Sequence, residues 1–165
     1  MHPEAYAGFR DMAVRAGLDF DAPYDILDIG GQNVNGTVHD LFPNATFTTL
    51  DLENADIIAD ARVWGPTRSF DVVIATEVFE HVAEWDLVIG TMKNALAKGG
   101  VIISTMASVN RQAHGATGAP APAPGEWYEN IDPDELSHYL SIYFGEDFET
   151  RYLYPPGDLY CWARL

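Results

Sequence analysis

The sequence predicts an α/β fold, a doubly wound, mostly parallel sheet of about seven strands that closes on an antiparallel C-terminal hairpin. Three observations carry that expectation. Phe70-Asp-Val-Val-Ile-Ala75 is nearly all apolar, the mark of a strand buried on both faces of a parallel sheet. Short apolar runs alternate with helical patterns, which implies right-handed β-α-β crossovers. The chain then ends in two β-type runs, Phe148–Tyr154 and Leu159–Leu165, joined by the turn Pro155-Pro-Gly-Asp158.

Residues 4–16 read as an amphipathic helix, with Tyr6, Phe9, Ala13 and Ala16 at helical spacing and Gly17 as its stop. Tyr24-Asp-Ile-Leu-Asp-Ile29 is a strand that feeds the Gly30-Gly31 turn, and a brief helix is expected from Gly36 to Phe42, ended by Pro43-Asn44. Thr46-Phe-Thr-Thr-Leu50 is β-branched and aromatic, hence a second strand with Asp51 at its end. Asp56-Ile-Ile-Ala59 is a short third strand followed by Asp60, and Phe70–Ala75 is the fourth. A helix from about Trp85 to Ala97 places Val88, Met92, Ala95 and Leu96 on one stripe, with Gly99-Gly100 closing it before a fifth strand, Val101–Met106. Residues 107–125 are rich in Ala, Gly and Pro and lack an apolar period; a loop of ~20 residues in a compact domain is usually functional. Asp132-Pro133-Asp134-Glu135 opens the last helix, with Asp132 as cap, Pro133 in the first turn and Glu135 completing a capping-box pattern. Leu136, Leu140 and Phe144 form its core face.

The length of 165 residues suits a single domain spanning 1–165, with one core. No apolar run approaches the ~20 residues that span a bilayer, and Met-His-Pro-Glu-Ala-Tyr at the start lacks a signal-peptide profile. One cysteine, Cys161, excludes an internal disulfide and fits a reducing compartment, so a cytoplasmic protein is expected, without membrane attachment and as a monomer or homodimer. Nine Lys and Arg stand against 25 Asp and Glu, a formal charge of -16. With no basic cluster to grip phosphates, a nucleic-acid duplex is not the expected partner. The acidity itself is read mainly as solubility, and secondarily as a preference for neutral or cationic substrates.

In an open α/β sheet, ligands bind beyond the carboxyl ends of the strands. Glycines after strand one let the backbone approach a ligand. Asp51 lies 21 residues past Gly30, the spacing at which a carboxylate accepts hydrogen bonds from a ribose diol. Asp60-Ala61, after strand three, can meet an adenine amino group. A glycine turn is often only a turn and an acidic strand end only a helix cap. In this order, the three features together favour an adenosine-containing ligand.

The succession Leu-Asp-Ile-Gly-Gly, Leu50-Asp51, Phe70-Asp-Val-Val-Ile-Ala-Thr-Glu-Val-Phe-Glu-His81 and Leu96-Ala-Lys-Gly-Gly-Val-Ile-Ile103 resembles the class I S-adenosylmethionine-dependent methyltransferases, whose fold is Rossmann-like. The resemblance covers residues 24–106, and the closing helix and hairpin match in arrangement. The stretch Gly31-Gln-Asn-Val-Asn-Gly-Thr-Val38 departs from the common Gly-x-Gly-x-Gly. What the resemblance implies is S-adenosyl-L-methionine as cofactor. Asp28, Gly30 and Gly36, with Gly31 and Asn35, would turn around the methionine moiety. Asp51 would hold the ribose, Asp60 and Ala61 would face the adenine, Leu52 and Val78 would sandwich it, and Glu77 would complete the set.

Methyl transfer from a sulfonium mainly needs alignment of the nucleophile and exclusion of water; a base is needed only where the acceptor must lose a proton. His81 and His114 are the candidates for that role, with a polar helix cap as the bland alternative for His81. The 107–130 segment is expected to act as substrate or lid loop, with Arg111, Trp127 and Tyr128 as substrate-binding candidates; packing of the two aromatic rings on the core is an equal alternative. Glu77, Glu80 and His81 also resemble a segment by which some quinone O-methyltransferases hold a divalent metal. That segment is common in relatives that use none, so no metal is assigned. The expected activity is O- or N-methylation of a small-molecule acceptor. A catalytically silent adenosyl-ligand binder or partner-dependent regulatory protein is one alternative. An NAD-dependent oxidoreductase is another, disfavoured by the missing Gly-x-Gly-x-x-Gly and by the terminal hairpin.

Overall fold

The computed structural model describes residues 2–32 and 36–165; the candidate cofactor contact Asn35 lies outside them. Seven strands form one sheet: β1 (Asp25–Ile29), β2 (Thr46–Asp51), β3 (Ile57–Ile58), β4 (Phe70–Thr76), β5 (Leu96–Ala107), β6 (Phe148–Leu153) and β7 (Asp158–Arg164). Their order is β3-β2-β1-β4-β5-β7-β6, parallel except for β7, which runs antiparallel to both β5 and β6. The strand order reverses between β1 and β4, and the ligand crevice of a doubly wound sheet is expected at that point.

The sheet is buried on both faces because successive side chains of its central strands go to opposite layers. Ile26, Val72, Ile74 and Ile103 pack with Phe9, Met12 and Ala13 of helix α1 (Pro3–Arg15). Leu27, Ile29, Val73 and Ala75 pack on the other side with Val88, Ile89 and Met92 of α2 (Trp85–Ala95) and with Leu136 and Leu140 of α3 (Pro133–Phe144). No helix among the described residues is long and apolar enough to cross a membrane.

Three elements differ from expectation. The helix expected over 36–42 is only a 3-10 turn, His39–Leu41. Thr37 Oγ1 accepts the His39 N–H at 3.3 Å, and Pro43 follows at once, so no second turn can form. The helix expected to reach Ala97 stops at Ala95, and β5 begins directly at Leu96. Gly99-Gly100 therefore sits within a strand, where the β4–β5 register shifts. Gly99 has φ +77°, and a Cβ on Gly100 would lie 2.9 Å from the carbonyl oxygens of Ala97 and Asp71. The glycine pair is thus a bulge that the hairpin end closes over, Gly99 donating to Leu165 and Leu165 to Gly100. The third strand shrinks to two residues, with the Asp56 carboxylate outside it accepting from Thr49 N–H and Oγ1–H.

The α3 start follows expectation in its cap. Asp132 Oδ1 accepts from the N–H groups of Asp134 and Glu135 at 2.9 and 3.1 Å. Replacing Asp132 with Ala should cost about 1 kcal/mol of stability, read as a lower urea midpoint with unchanged slope; an unchanged midpoint would show that the cap is redundant.

Candidate functional site

At the carboxyl ends of β1, β2 and β4 the chain opens into two adjoining cavities. The larger, about 620 Å³, is lined by Gly30 after β1, Asp51 and Leu52 after β2, Asp60 and Ala61 after β3, and Val78 after β4, with Trp127 at its rim. The smaller, about 340 Å³, is lined by His2, Gly36, Thr76, Arg111 and His114 among others. Gly30, Gln32, Glu77, His81 and Ala116 line both. Each volume falls in the range of small-molecule sites.

The walls are held by local chemistry. Gly30 has φ +73°, and a Cβ there would stand 2.4 Å from Val78 Cγ2, so backbone and neighbour both require glycine. Asp51 Oδ1 accepts its neighbour's N–H, that of Leu52, at 2.6 Å, which fixes the carboxylate at the strand end. Leu52 is 69% exposed, an apolar side chain standing free at the cavity edge. The Asp60 carboxylate is clamped by Arg62, whose Nε and Nη2 donate to it, and the guanidinium holds its pKa below the usual carboxylate range. Glu77 takes a left-handed backbone, φ +57°, uncommon outside glycine. Its Oε1 accepts from the Thr105 hydroxyl at 2.9 Å.

Asp28, Gly31 and Tyr128 do not line either cavity. Asp28 is buried beneath the turn, with its Oδ2 2.7 Å from His39 Nε2. Burial pushes its pKa above the usual range, and His39, itself stacked on Phe47, opposes that shift. Asp28 thus supports the glycine turn from below. Gly31 packs the turn against β2, where a Cβ would meet Thr49 Cγ2 at 2.8 Å.

The 108–132 segment folds across the smaller cavity without regular helix or strand, anchored by a bridge between Ser108 and Ile131. His81, His114 and Tyr128 converge there, their ring centroids 5.0 to 5.4 Å apart in edge-to-face contact. Burial first, then the neighbouring His114, lowers the pKa of His81 and favours its neutral form. Tyr128 is a supporting ring, its hydroxyl donating to Asn130 at 2.9 Å. Arg111 is at the cavity wall but already paired, Nη1 lying 3.0 Å from Asp158 Oδ1. Trp127 is 49% exposed, so the alternative of a ring packed on the core does not describe it.

Sequence reasoning missed the group that closes the smaller cavity from the other side. His2 sits 3.0 Å from Glu4, 3.4 Å from Asp158 and 3.6 Å from Glu77. The nearby Asp158 and Glu77 carboxylates outweigh burial and push its pKa up to about 10. Asp158, wholly buried, also accepts from the Tyr160 hydroxyl at 2.9 Å. Its signal in the sequence was an acid heading an apolar strand, which a turn assignment absorbed. Because the folded pKa of His2 is above the ordinary 6.5, its contribution to stability is full below that pH and fades as pH rises toward 10. Wild type should therefore lose more stability than His2→Gln between pH 7 and 10 in parallel thermal melts; curves that keep a constant separation would contradict the network.

A sheet in the order 3-2-1-4-5-7-6 with a ligand crevice at the β1/β4 switch defines the class I methyltransferase architecture. A family model described as a methyltransferase domain matches residues 6–143, and the chain belongs to that family. No curated protein matches the sequence. Among solved structures, the chain is similar to a phosphoethanolamine N-methyltransferase 2 of Haemonchus contortus in complex with phosphomonomethylethanolamine and S-adenosylhomocysteine. That match has TM-score 0.66 and 16% identity over 91% of this chain, which spans only 39% of the worm enzyme. It is also similar to the 1,6-didemethyltoxoflavin-N1-methyltransferase of Burkholderia thailandensis with its acceptor and S-adenosylhomocysteine (TM-score 0.68, 15% identity, 97% of this chain and 77% of that one). The N-methyltransferase NodS of Bradyrhizobium japonicum, with S-adenosylhomocysteine, matches at TM-score 0.62 and 15% identity over 98% of this chain and 85% of its own.

Proposed function

We propose that the chain binds S-adenosylmethionine in the larger cavity and transfers its methyl group to a small molecule held in the smaller one. The observation that carries this reading is the junction of the cavities at Gly30, Glu77 and His81. A cofactor with its adenosine against Asp51, Asp60, Ala61, Leu52 and Val78 would direct its sulfonium methyl through that junction. Asp51 takes the ribose hydroxyls, while Gly30 and Gly36 allow the methionine end to lie against backbone. The family match favours a transferase over the oxidoreductase alternative, and the three neighbours are solved with S-adenosylhomocysteine.

In the reaction, the acceptor's lone pair attacks the methyl carbon as the carbon–sulfur bond breaks, and neutral S-adenosylhomocysteine leaves. Alignment across the junction is the main contribution, worth up to about 7–11 kcal/mol in favourable cases. Where the acceptor is protonated, His81 or His114 takes the proton. The acceptor is recognised by the 107–130 segment, with Trp127 at the rim of the larger cavity and Arg111 in the wall of the smaller one.

Calorimetry should show S-adenosylmethionine and S-adenosylhomocysteine binding with NAD inert, and tritiated cofactor should label a metabolite in a small-molecule extract. Binding of NAD alone would overturn the cofactor assignment. Adenosyl binding without any labelled product would favour the silent binder.

A further inference from the structure

Behind the cavity junction, three side chains from two separate segments converge. Glu80 and His81 come from the 3-10 turn Phe79–His81 that follows β4, and His114 comes from the irregular segment after β5. One ligand atom from each lies within 4.8 Å of the other two. Glu80 is wholly buried. Its Oε1 accepts the Ala107 N–H at 3.1 Å and stands 3.9 Å from His114 Nε2, while its Oε2 has no hydrogen-bond partner. His81 Nδ1 is likewise buried without a partner.

Buried polar atoms are almost always satisfied, and each exception calls for a cause. Leaving one unpaired is costly, and more so if it is charged. Here two such groups stand side by side, with a third ligand-type residue beside them. Glu77, whose sequence position makes it a natural fourth member, is turned away toward the Thr105 hydroxyl and His2. The converging set is therefore two imidazoles and one carboxylate, drawn together by the fold across 34 residues of sequence, from Glu80 to His114.

We propose that Glu80, His81 and His114 form a binding site for a divalent cation of the zinc or cobalt type. Imidazole nitrogens with a single carboxylate suit borderline first-row metals rather than magnesium or calcium, which favour all-oxygen sets. Three protein ligands leave at least one coordination position open. Both histidines line the smaller cavity, so the open position faces it. If that cavity holds the acceptor, as proposed above, the cation takes an oxygen-bearing acceptor and lowers the pKa of its hydroxyl. In the loaded protein the imidazoles then serve as ligands, and the cation takes over their part in releasing the acceptor proton.

The test is a titration of the purified chain with Co²⁺, read by visible absorption and by calorimetry. The expected result is one equivalent bound, with the d–d bands of a four- or five-coordinate ion. His114→Asn should weaken binding at least about tenfold, as should Glu80→Gln, whereas Glu77→Gln should keep wild-type affinity. His114 is in an irregular, partly exposed segment, so its variant is expected to fold, which a thermal melt confirms. Absence of stoichiometric binding by the wild type, or full retention by His114→Asn, overturns the site; the second result would place the ion on another histidine. S-adenosylhomocysteine titrated into the same samples separates the two readings. Its binding without cobalt removes only the metal site, and failure of both removes the cofactor reading as well.

Discussion

Replacing Asp51 with Ala is expected to weaken S-adenosylhomocysteine binding by at least tenfold and toward a hundredfold, with the fold intact. A carboxylate that accepts from a ribose diol makes charge-assisted bonds, and the loss of one, worth about 1.5–3 kcal/mol, already gives that range. Asp51 is already placed for this, because its own strand-end geometry aims Oδ1 back at the Leu52 N–H and leaves the carboxylate at the cavity wall. It is partly exposed and contributes nothing to the core, so the loss should appear in ligand affinity and not in the melting temperature of the unliganded protein. Asp51→Asn keeps the shape and one acceptor oxygen, and should fall between wild type and Ala. Calorimetry on the three proteins decides the point: equal affinities would move the ribose elsewhere and take the orientation of the cofactor with it.

The layout around Asp51 was legible because it depends on local pattern. Apolar runs such as Phe70–Ala75 mark buried parallel strands, and cavity-lining residues follow directly at their carboxyl ends. What pattern could not show is which polar groups neutralise one another across the fold. Asp60 read as an open acceptor for adenine, yet Arg62 holds its carboxylate two residues on; an adenine amino group would have to share that oxygen pair or meet the backbone beside it. Arg111 read as a substrate-binding candidate, and its guanidinium is paired with Asp158, 47 residues away. Asp28 read as part of the methionine turn and is buried against His39. His2 carries no signal at all, since its partners Glu77 and Asp158 lie 75 and 156 residues further on. Contacts of such separation are a property of the sheet order, not of any window of sequence.

That distribution of charge bears on the acceptor. The whole chain is acidic by 16 charges, yet the smaller cavity gathers His2, Arg111, His81 and His114 around Glu77. The two cations are each matched by a carboxylate, His2 by Glu77 and Asp158, Arg111 by Asp158 again. The walls are therefore close to neutral, and, on the proposal that this cavity holds the acceptor, they suit an uncharged one.

The glycine turn offers the sharpest test of how the cofactor cleft is shaped. Gly30→Ala is expected to lose both stability and cofactor affinity, for two separable reasons. A φ of +73° costs an L-residue about 1–2 kcal/mol, and a methyl 2.4 Å from Val78 Cγ2 forces a packing shift worth about 1–3 kcal/mol more. Val78 is β-branched and stiff, so it cannot swing aside without moving the backbone that also carries Glu77. Removing the obstruction with Val78→Ala should therefore recover the packing part and leave the backbone part. The double variant is expected to be less destabilised than the sum of the two single ones by about 1 kcal/mol or more. Additive losses, measured by urea unfolding of the four proteins, would mean that the contact with Val78 is relieved elsewhere and that backbone geometry alone demands the glycine. Recovery of stability without recovery of S-adenosylhomocysteine affinity would instead assign the isopropyl group of Val78 a direct place against the adenine.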